Sequence, residues 1–464
     1  MTTDPLGARH VSTRFRRARL DAALRVVAGS ALWLSLLLVT YWWASGGGIA
    51  DLGGWTTGLD SLGRLSGLVA SDLLLIQVLL MARLPLLEGA FGQDRLARQH
   101  RLVGFTSFNL MLAHIVLITW GYASGAISQT PATSWNLATN YPGMLLAVAG
   151  TACLVMVVVT SVKAARRRIR YESWHLLHLY AYLGVGLALP HQLWTGQEFL
   201  TSTAATVFWW GLWATAAATI LTWRVAVPLW RSARHRVRVT SVRSEAPDIW
   251  SAYLTGHKLG RLRAEPGQFF TWRFLGRSGW SRAHPYSLSA APEGDNMRIT
   301  VKSLGDDSSR LPHVRPGTRV LIEGPYGRLS PRARSRHKVA LIGAGVGITP
   351  LRALAEGLDY APGNAVVLQR YTDHPLFENE FDILAHERGL EVLRLPGRRR
   401  APDSWLPEAI GSADDATALL HWVPDIAERD VYVCGPAPWA ESVRRSTLAA
   451  GLPPDQFHLE TFQW

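Results

Sequence analysis

The sequence has 464 residues, of which 48% are hydrophobic and only 18% charged, with a mean hydropathy of +0.07. That balance excludes a disordered chain and a collagen, and two cysteines, Cys153 and Cys434, neither in a CxxC, exclude a Cys-ligated iron–sulfur cluster, a Cys-rich zinc site and a disulfide-stapled module. The 48 Lys+Arg against 35 Asp+Glu leave a net charge of +13, which suits either nucleic acid or a membrane protein with basic inner loops; the 20 Trp favour the membrane, because Trp collects at its interfaces.

Six apolar stretches occupy the first half, at 24–43, 65–81, 102–120, 144–162, 176–194 and 204–223. Each is long enough to cross a hydrocarbon core of about 30 Å, and several end in Trp. The first is too long for a signal peptide. The second is the least apolar, with Asp72 and Gln77 inside it. Nineteen basic residues lie before the first stretch, in the second and fourth loops and after the sixth, whereas loops 44–64, 121–142 and 192–204 contribute only Arg64. The positive-inside rule then places both termini in the cytoplasm of a multi-pass cell-membrane protein.

Ionisable groups inside membrane segments point to function. His100 and His114 lie fourteen residues apart on the third stretch, about 21 Å of helix rise, and return to within about 40° of one face. His178 and His191 lie thirteen apart on the fifth, and their faces differ by roughly 140° on an ideal helix, a mismatch that Pro190 can relieve by kinking the chain. Spans three and five run in the same direction, so His100 should face His178 and His114 should face His191. Such pairs suit bis-imidazole ligation of two haem irons stacked across the membrane. Hydrogen bonding between helices, or a divalent-metal path, is the alternative, and His175 competes with His178. Phe108 sits between the two levels as a spacer or as ordinary packing, and Asp72 is either a proton relay or a contact to a haem edge, or else a hydrogen-bonded structural acid.

From about residue 235 the periodicity becomes strand-like, at 236–242, 269–274, 297–304 and 319–327, which predicts a small antiparallel barrel. Within it lies His284-Pro285-Tyr286-Ser287, where a Tyr can stack on an isoalloxazine and a Ser can hydrogen-bond its N5 edge. Lys302, Gly305 and Ser308 follow in a turn suited to a pyrophosphate. A strand at 339–342 then runs into Gly343-Ala344-Gly345-Val346-Gly347-Ile348-Thr349-Pro350 and a helix, the arrangement that meets phosphates with backbone N–H groups and a helix dipole. A second strand, 365–369, ends at Arg370, which would accept the 2′-phosphate of NADPH; Asp373 nearby leaves NADH possible. A late strand delivers Cys434-Gly435-Pro436 to a sheet edge, as a site residue or as a buried strand end. The chain ends with Phe462 and Trp464 on one face of a strand-like segment, where either ring can cover a flavin or pack at the surface.

Taken together these residues resemble the ferric reductase/NADPH oxidase superfamily in its bacterial form. The resemblance rests on Arg83-x-Pro85-x-x-Glu88, Gly92-x-Asp94-Arg95, His100-Arg101-x-x-Gly104, His114, Tyr171-Glu172-x-Trp174-x-x-Leu177-His178 and His191-Gln192, then on HPYSLS, GAGVGITP and CGP. It implies a multidomain membrane protein: a tail at 1–22, an all-α six-helix transmembrane haem domain at 23–232, an antiparallel β-barrel FAD domain at 233–332 and an α/β Rossmann-like nucleotide domain at 333–464. It further implies FAD, two b-type haems and a nicotinamide nucleotide, with electrons moving outward to oxygen or a ferric chelate. It selects His178 over His175 as ligand. It gives His284, Tyr286 and Ser287 to the flavin, Gly305 and Ser308 to its phosphates, Gly345, Gly347, Thr349 and Pro350 to the nucleotide, and Cys434 to the nicotinamide. Membrane lipid is the expected surrounding and nucleic acid is not an expected partner; no protein partner is implied. A relay to a partner redox protein, or a metal-transport domain with a regulatory reductase-like domain, is the competing expectation.

Overall fold

The computed structural model describes residues 5–166, 169, 171–196, 202–276, 282–305 and 308–460. The chain divides into two compact units: Ala22–Val225, and Met1–Asp21 together with Ala226–Trp464.

The first unit is helical. Its principal helices are α1 (Pro5–Trp43, shared with the first residues of the other unit), α2 (Trp55–Leu80), α3 (Gln93–Tyr122), α4 (Thr130–Asn140), α5 (Met144–Ser161), α6 (Tyr171–Thr195) and α7 (Thr203–Thr219). Among the described residues five helical runs are long and apolar enough to cross a membrane: Arg19–Asp51, Trp55–Leu80, Arg95–Tyr122, Met144–Ser161 and Thr203–His235. The apolar stretch at 176–194 falls in α6, a 25-residue helix that carries Pro190 inside it. Helix α2 begins ten residues before the apolar run that reveals it. Its first turns hold Arg64, which pairs with Asp51, so the one basic residue of the odd loops carries its own counter-charge. Helix α4 has no counterpart in the hydropathy pattern, because it is short and mixes Thr, Asn, Trp and Ala.

Packing in this unit is pairwise: α2 lies along α3, and α5 along α6. The α5–α6 contact is set by two glycines. A Cβ on Gly150 would stand 2.7 Å from the Gly184 carbonyl oxygen, and one on Gly184 would stand 2.9 Å from that of Gly150, so the two backbones touch where neither has a side chain. In the loop before α3, Arg83 donates to Glu88 at 3.0 Å and to Gln93 at 2.5 Å, which ties together the motif that links α2 to α3.

After Ala226 the second unit resumes with helix α8 (Val227–His235). Strands β1 (Arg238–Ala246), β2 (Ile249–Thr255) and β5 (Asn296–Lys302) form one antiparallel sheet in the order β1-β2-β5; β3 (Phe269–Phe274), β4 (His284–Ser287) and β6 (Val320–Tyr326) form another in the order β4-β3-β6. Isolated bridges Arg238–Arg319 and Leu288–Ile299 join their edges, and Phe270, Trp272, Phe274, Leu288 and Ile299 fill the space between them. Sequence pattern misses β2, whose IWSAYLT alternates poorly, and treats β4 only as a motif.

A five-stranded parallel sheet completes the unit in the order β11-β10-β7-β8-β9, from β7 (Lys338–Ala344), β8 (Ala365–Tyr371), β9 (Glu391–Pro396), β10 (Arg429–Cys434) and β11 (Phe457–Glu460). Helices α9 (Ile348–Gly357), α10 (Glu378–Arg388), α11 (Asp415–Trp422) and α12 (Ala437–Ala449) accompany it. The chain leaves β7 for β8 on one side and later returns to place β10 on the other, so a crevice opens beyond the ends of β7 and β10, where ligands of open parallel sheets bind.

Candidate functional sites

In the helical unit four histidines meet in two pairs. The ring centres of His100 and His178 are 6.1 Å apart, and those of His114 and His191 are 6.2 Å apart. His178, not His175, faces His100. An iron held between two imidazoles, with Fe–N bonds of about 2 Å and about 1.1 Å from each nitrogen to its ring centre, puts the centres about 6 Å apart. The histidine helices α3 and α6 do not pack along one another, since each lies on a different helix. Rings from two separated helices therefore meet across a gap.

The hydrogen bonds fix which nitrogen points into that gap. His114 Nδ1 lies 2.7 Å from the Gly63 carbonyl and His100 Nδ1 lies 3.2 Å from that of Gln77. A carbonyl only accepts, so both Nδ1 atoms carry the proton and Nε2 is left with its lone pair. Thr195 donates its hydroxyl to the His191 carbonyl at 2.7 Å and accepts from His191 Nδ1 at 2.8 Å, with the same result. His178 Nδ1 lies 3.4 Å from Ser161 Oγ, which also accepts from Trp174 Nε1 at 3.2 Å. This is the outer support that metal-bound imidazoles use. Gly67 makes room for one of them: a Cβ there would stand 2.5 Å from His114 Nδ1.

Among the described residues no group of three or more His, Cys, Asp or Glu could hold a metal ion. Two protein nitrogens are too few for a divalent cation on its own, which takes three or four protein ligands. They suffice for an iron whose other four positions come from a porphyrin, so the donor set fits haem. Phe108 is half-buried on α3. Asp72 is fully buried on α2: one carboxylate oxygen accepts from Ser35 at 2.9 Å, and the other has no hydrogen-bond partner among the described residues.

In the second unit β4 presents His284 and Tyr286 from one strand face, their rings parallel within 15° and 6.0 Å apart. Pairing of Tyr286 with Phe270, and the Trp272 indole donating to the Tyr286 carbonyl at 3.0 Å, hold the strand in place. Ser287 Oγ is buried without a hydrogen-bond partner among the described residues, so a polar group is ready for an acceptor or donor the chain does not provide. That fits a flavin edge. Ser308 Oγ accepts from the Leu304 and Gly305 amides at 2.9 and 3.0 Å, which ties Ser308 to the residues just after Lys302.

At the parallel sheet the glycine loop and the CGP segment, ninety residues apart in sequence, become neighbours. Gly343 pairs with Cys434 across β7 and β10. Gly345 has φ +55°, and a Cβ on Gly347 would stand 2.3 Å from the Cys434 carbonyl oxygen, so both glycines are needed: one for backbone conformation, one for closeness. Gly435 packs on Trp439. Thr349 and Pro350 are buried in the first turn of α9, and Thr349 donates to the Val346 carbonyl at 2.9 Å; they shape the loop from within. Cys434 is fully buried, and burial, followed by the charge of Glu460, keeps its thiol protonated well above the ordinary range.

Arg370, next to last in β8, is half-buried. Its Nε has no hydrogen-bond partner among the described residues, and Nη2 reaches the Gly397 carbonyl only at 3.4 Å. Burial, then the like charge of Arg399, opposes its protonated state. Asp373 is exposed beyond the strand. Phe462 and Trp464 lie outside the described residues.

Sequence comparison adds an independent line. Residues 66–189 match the family of the ferric reductase like transmembrane component. Over 209 residues the chain is 29% identical to the ferredoxin reductase component of a 3-ketosteroid-9-alpha-monooxygenase of Mycobacterium tuberculosis, covering 44% of this chain and 56% of that one. Over 242 residues it is 34% identical to a flavohemoprotein of Pseudomonas aeruginosa, covering 50% and 60%. Among solved structures, the flavohem-like FAD/NAD-binding domain of a nitric oxide dioxygenase from Vibrio cholerae aligns with 49% of this chain and 99% of its own, at 22% identity and a TM-score of 0.38. The chain thus spans little more than half the length of the first curated relative.

Proposed function

We propose that this chain, which joins a ferric-reductase-like transmembrane component to a ferredoxin-reductase-type module, is an oxidoreductase that carries electrons from cytosolic NADPH across the membrane to oxygen or a ferric chelate. The observation that carries the reading is the pair of facing imidazole couples, 6.1 and 6.2 Å between ring centres, with supported Nδ1 atoms. When bound, FAD supplies conversion between a two-electron hydride and single electrons, and two b-type haems supply one-electron carriage.

The chain's own residues bind and insulate. His100 with His178, and His114 with His191, would hold the two irons, while α2 and α5 support the histidine helices from behind. His284, Tyr286 and Ser287 would hold the flavin in a barrel made from the two three-stranded sheets, with Lys302, Gly305 and Ser308 at its phosphates. The loop Gly343–Gly347 and the start of α9 would take the nucleotide's pyrophosphate, with Gly435 and the buried Cys434 shaping the floor of the nicotinamide site. Arg370, short of partners and pressed by Arg399, would take the 2′-phosphate. In this reading α6 is the fifth of six crossings, and both termini face the cytoplasm. The pairing of the histidines, without a third protein donor among the described residues, favours haem over a metal-transport path.

The test is a pyridine haemochrome assay on the purified full chain, with NADPH oxidation followed under oxygen and under ferric chelate. About two haems per chain and NADPH-driven haem reduction are expected. Protein made with ample haem that binds none, or that binds haem which NADPH cannot reduce, would overturn the proposal.

A further inference from the structure

We propose that the cleft lined by Trp230, Ala233, Arg234, Arg236 and His257 is a binding site for the headgroup of an anionic phospholipid. It lies on the last turns of the helical run Thr203–His235, which is long and apolar enough to cross a membrane, and in this proposal its basic side chains meet the polar headgroup layer.

Helix α8 is pinned on one face. Ser232 Oγ bridges the Ile322 amide and carbonyl at 3.0 and 3.2 Å, Arg231 donates to the Gly324 carbonyl, and the His257 amide donates to the His235 carbonyl at 2.7 Å. The opposite face is left open, with Leu229 59% and Trp230 60% exposed. Arg236 then ends the helix with a left-handed backbone, φ 46°, a conformation that L-residues rarely adopt; its amide closes the turn on the Ser232 carbonyl at 3.1 Å. The result is that Arg234 and Arg236 line one open cleft of about 560 Å³.

Among the described residues neither arginine has a carboxylate partner. Arg234 lies over the Trp230 ring at 5.6 Å, whereas nearby Arg231 and Arg238 are spent on the carbonyls of Gly324 and Gly317. Two guanidinium groups that line one cleft with no carboxylate partner among the described residues favour an anionic group such as a phosphate. The exposed Trp230 and Leu229 favour a phosphate that carries acyl chains, since a soluble anion would leave them in water. A lipid with net negative charge, such as phosphatidylglycerol, meets both demands; phosphatidylcholine brings a cation of its own.

The proposal rests on the membrane placement of α7 and α8 and not on the redox reading, so the two can fail separately. The test is native mass spectrometry of the full chain released from nanodiscs of mixed phosphatidylcholine and phosphatidylglycerol. The parent protein should retain phosphatidylglycerol selectively. The double variant Arg234→Gln, Arg236→Gln should retain it roughly 30-fold less, the effect of two surface basic groups. The double variant Arg234→Lys, Arg236→Lys should keep most of the retention, and Arg95→Gln, Arg98→Gln should keep all of it. Equal retention of the two lipids by the parent protein would overturn the proposal even if a variant fails to fold. So would unchanged retention in the Gln pair, or an equal loss in the Arg95, Arg98 pair, which would reveal only a diffuse basic field.

Discussion

At the four membrane histidines the second nitrogen of each ring decides what the first can do. Gly63, Gln77 and Thr195 take the Nδ1 proton of three of them, and only Nε2 remains for a ligand. Space matters as much as polarity. Gly67→Ala should push a methyl group into His114 Nδ1 and lower the haem content from about two to about one per chain, whereas Gly29→Ala, with nothing within 4 Å, should leave it unchanged. Equal haem content in both variants by the pyridine assay would remove the steric argument. At the nucleotide crevice Arg370→Ala should raise the KM for NADPH by an amount equal to about 1.5–3 kcal/mol, the worth of a charge-assisted bond, and leave that for NADH within twofold. Steady-state kinetics with both nucleotides check it, and a parallel loss with NADH would assign Arg370 to the fold instead.

At the scale of elements, the histidine helices are held from behind. Helix α6 touches α5 through Gly150 and Gly184, backbone on backbone. Gly184→Val should overpack this seam, at a cost of about 1–3 kcal/mol, and release haem at both levels, because His178 and His191 ride on the same helix. Gly186, two residues on, has nothing within 4 Å and should accept the same change. Thermal release of haem, read from the Soret band, separates the two; identical curves would mean that α6 is positioned by other contacts. Pro190 lies inside α6, directly before His191, and removes one helical hydrogen bond there.

Across the second unit the flavin-type sheets and the parallel sheet are joined by a buried charge cluster. Arg298 of β5 donates to both carboxylate oxygens of Glu380 on α10, at 2.7 and 2.9 Å, and Arg352 of α9 pairs with the same carboxylate. Arg298 also lies over the Phe377 ring at 4.9 Å. This cluster fixes the β1-β2-β5 sheet, whose last strand ends at Lys302, against the helix that follows the glycine loop. Burial pushes the Glu380 carboxyl up, but the two guanidinium groups more than reverse this and hold it below its ordinary range. A carboxyl with a depressed folded pKa stabilises fully above its unfolded value of about 4.3, and that contribution fades as pH falls through the lower folded value. Glu380→Gln should therefore cost about 2–4 kcal/mol at pH 7, and the gap from the parent should narrow below about pH 4. Chemical denaturation of the full chain at both pH values checks this; a gap that does not change with pH would mean the ionised carboxylate is not what joins the sheets.

Much of this protein is legible in the residues alone. The apolar runs and their Trp ends report membrane helices because hydropathy acts on every residue of a span at once. The glycine loop, HPYS and CGP report their chemistry because each needs a local backbone or side-chain type. Hydropathy does not reveal where α2 begins, since its first turns are only moderately apolar, nor does it reveal α4. Strand alternation misses β2, whose two faces are both partly covered. The larger gap is at the sites. Helical arithmetic sets His178 and His191 roughly 140° apart and leaves His175 in contention; the helix packing around them brings His178 to His100 and His191 to His114. The pairing of Cys434 with Gly343, the carbonyl and hydroxyl partners behind the imidazoles, the shortage of partners at Arg370 and the Arg298–Glu380–Arg352 cluster are likewise invisible in sequence. Each depends on groups far apart in the chain, and distance between such groups is decided by how helices and sheets pack, not by any local propensity.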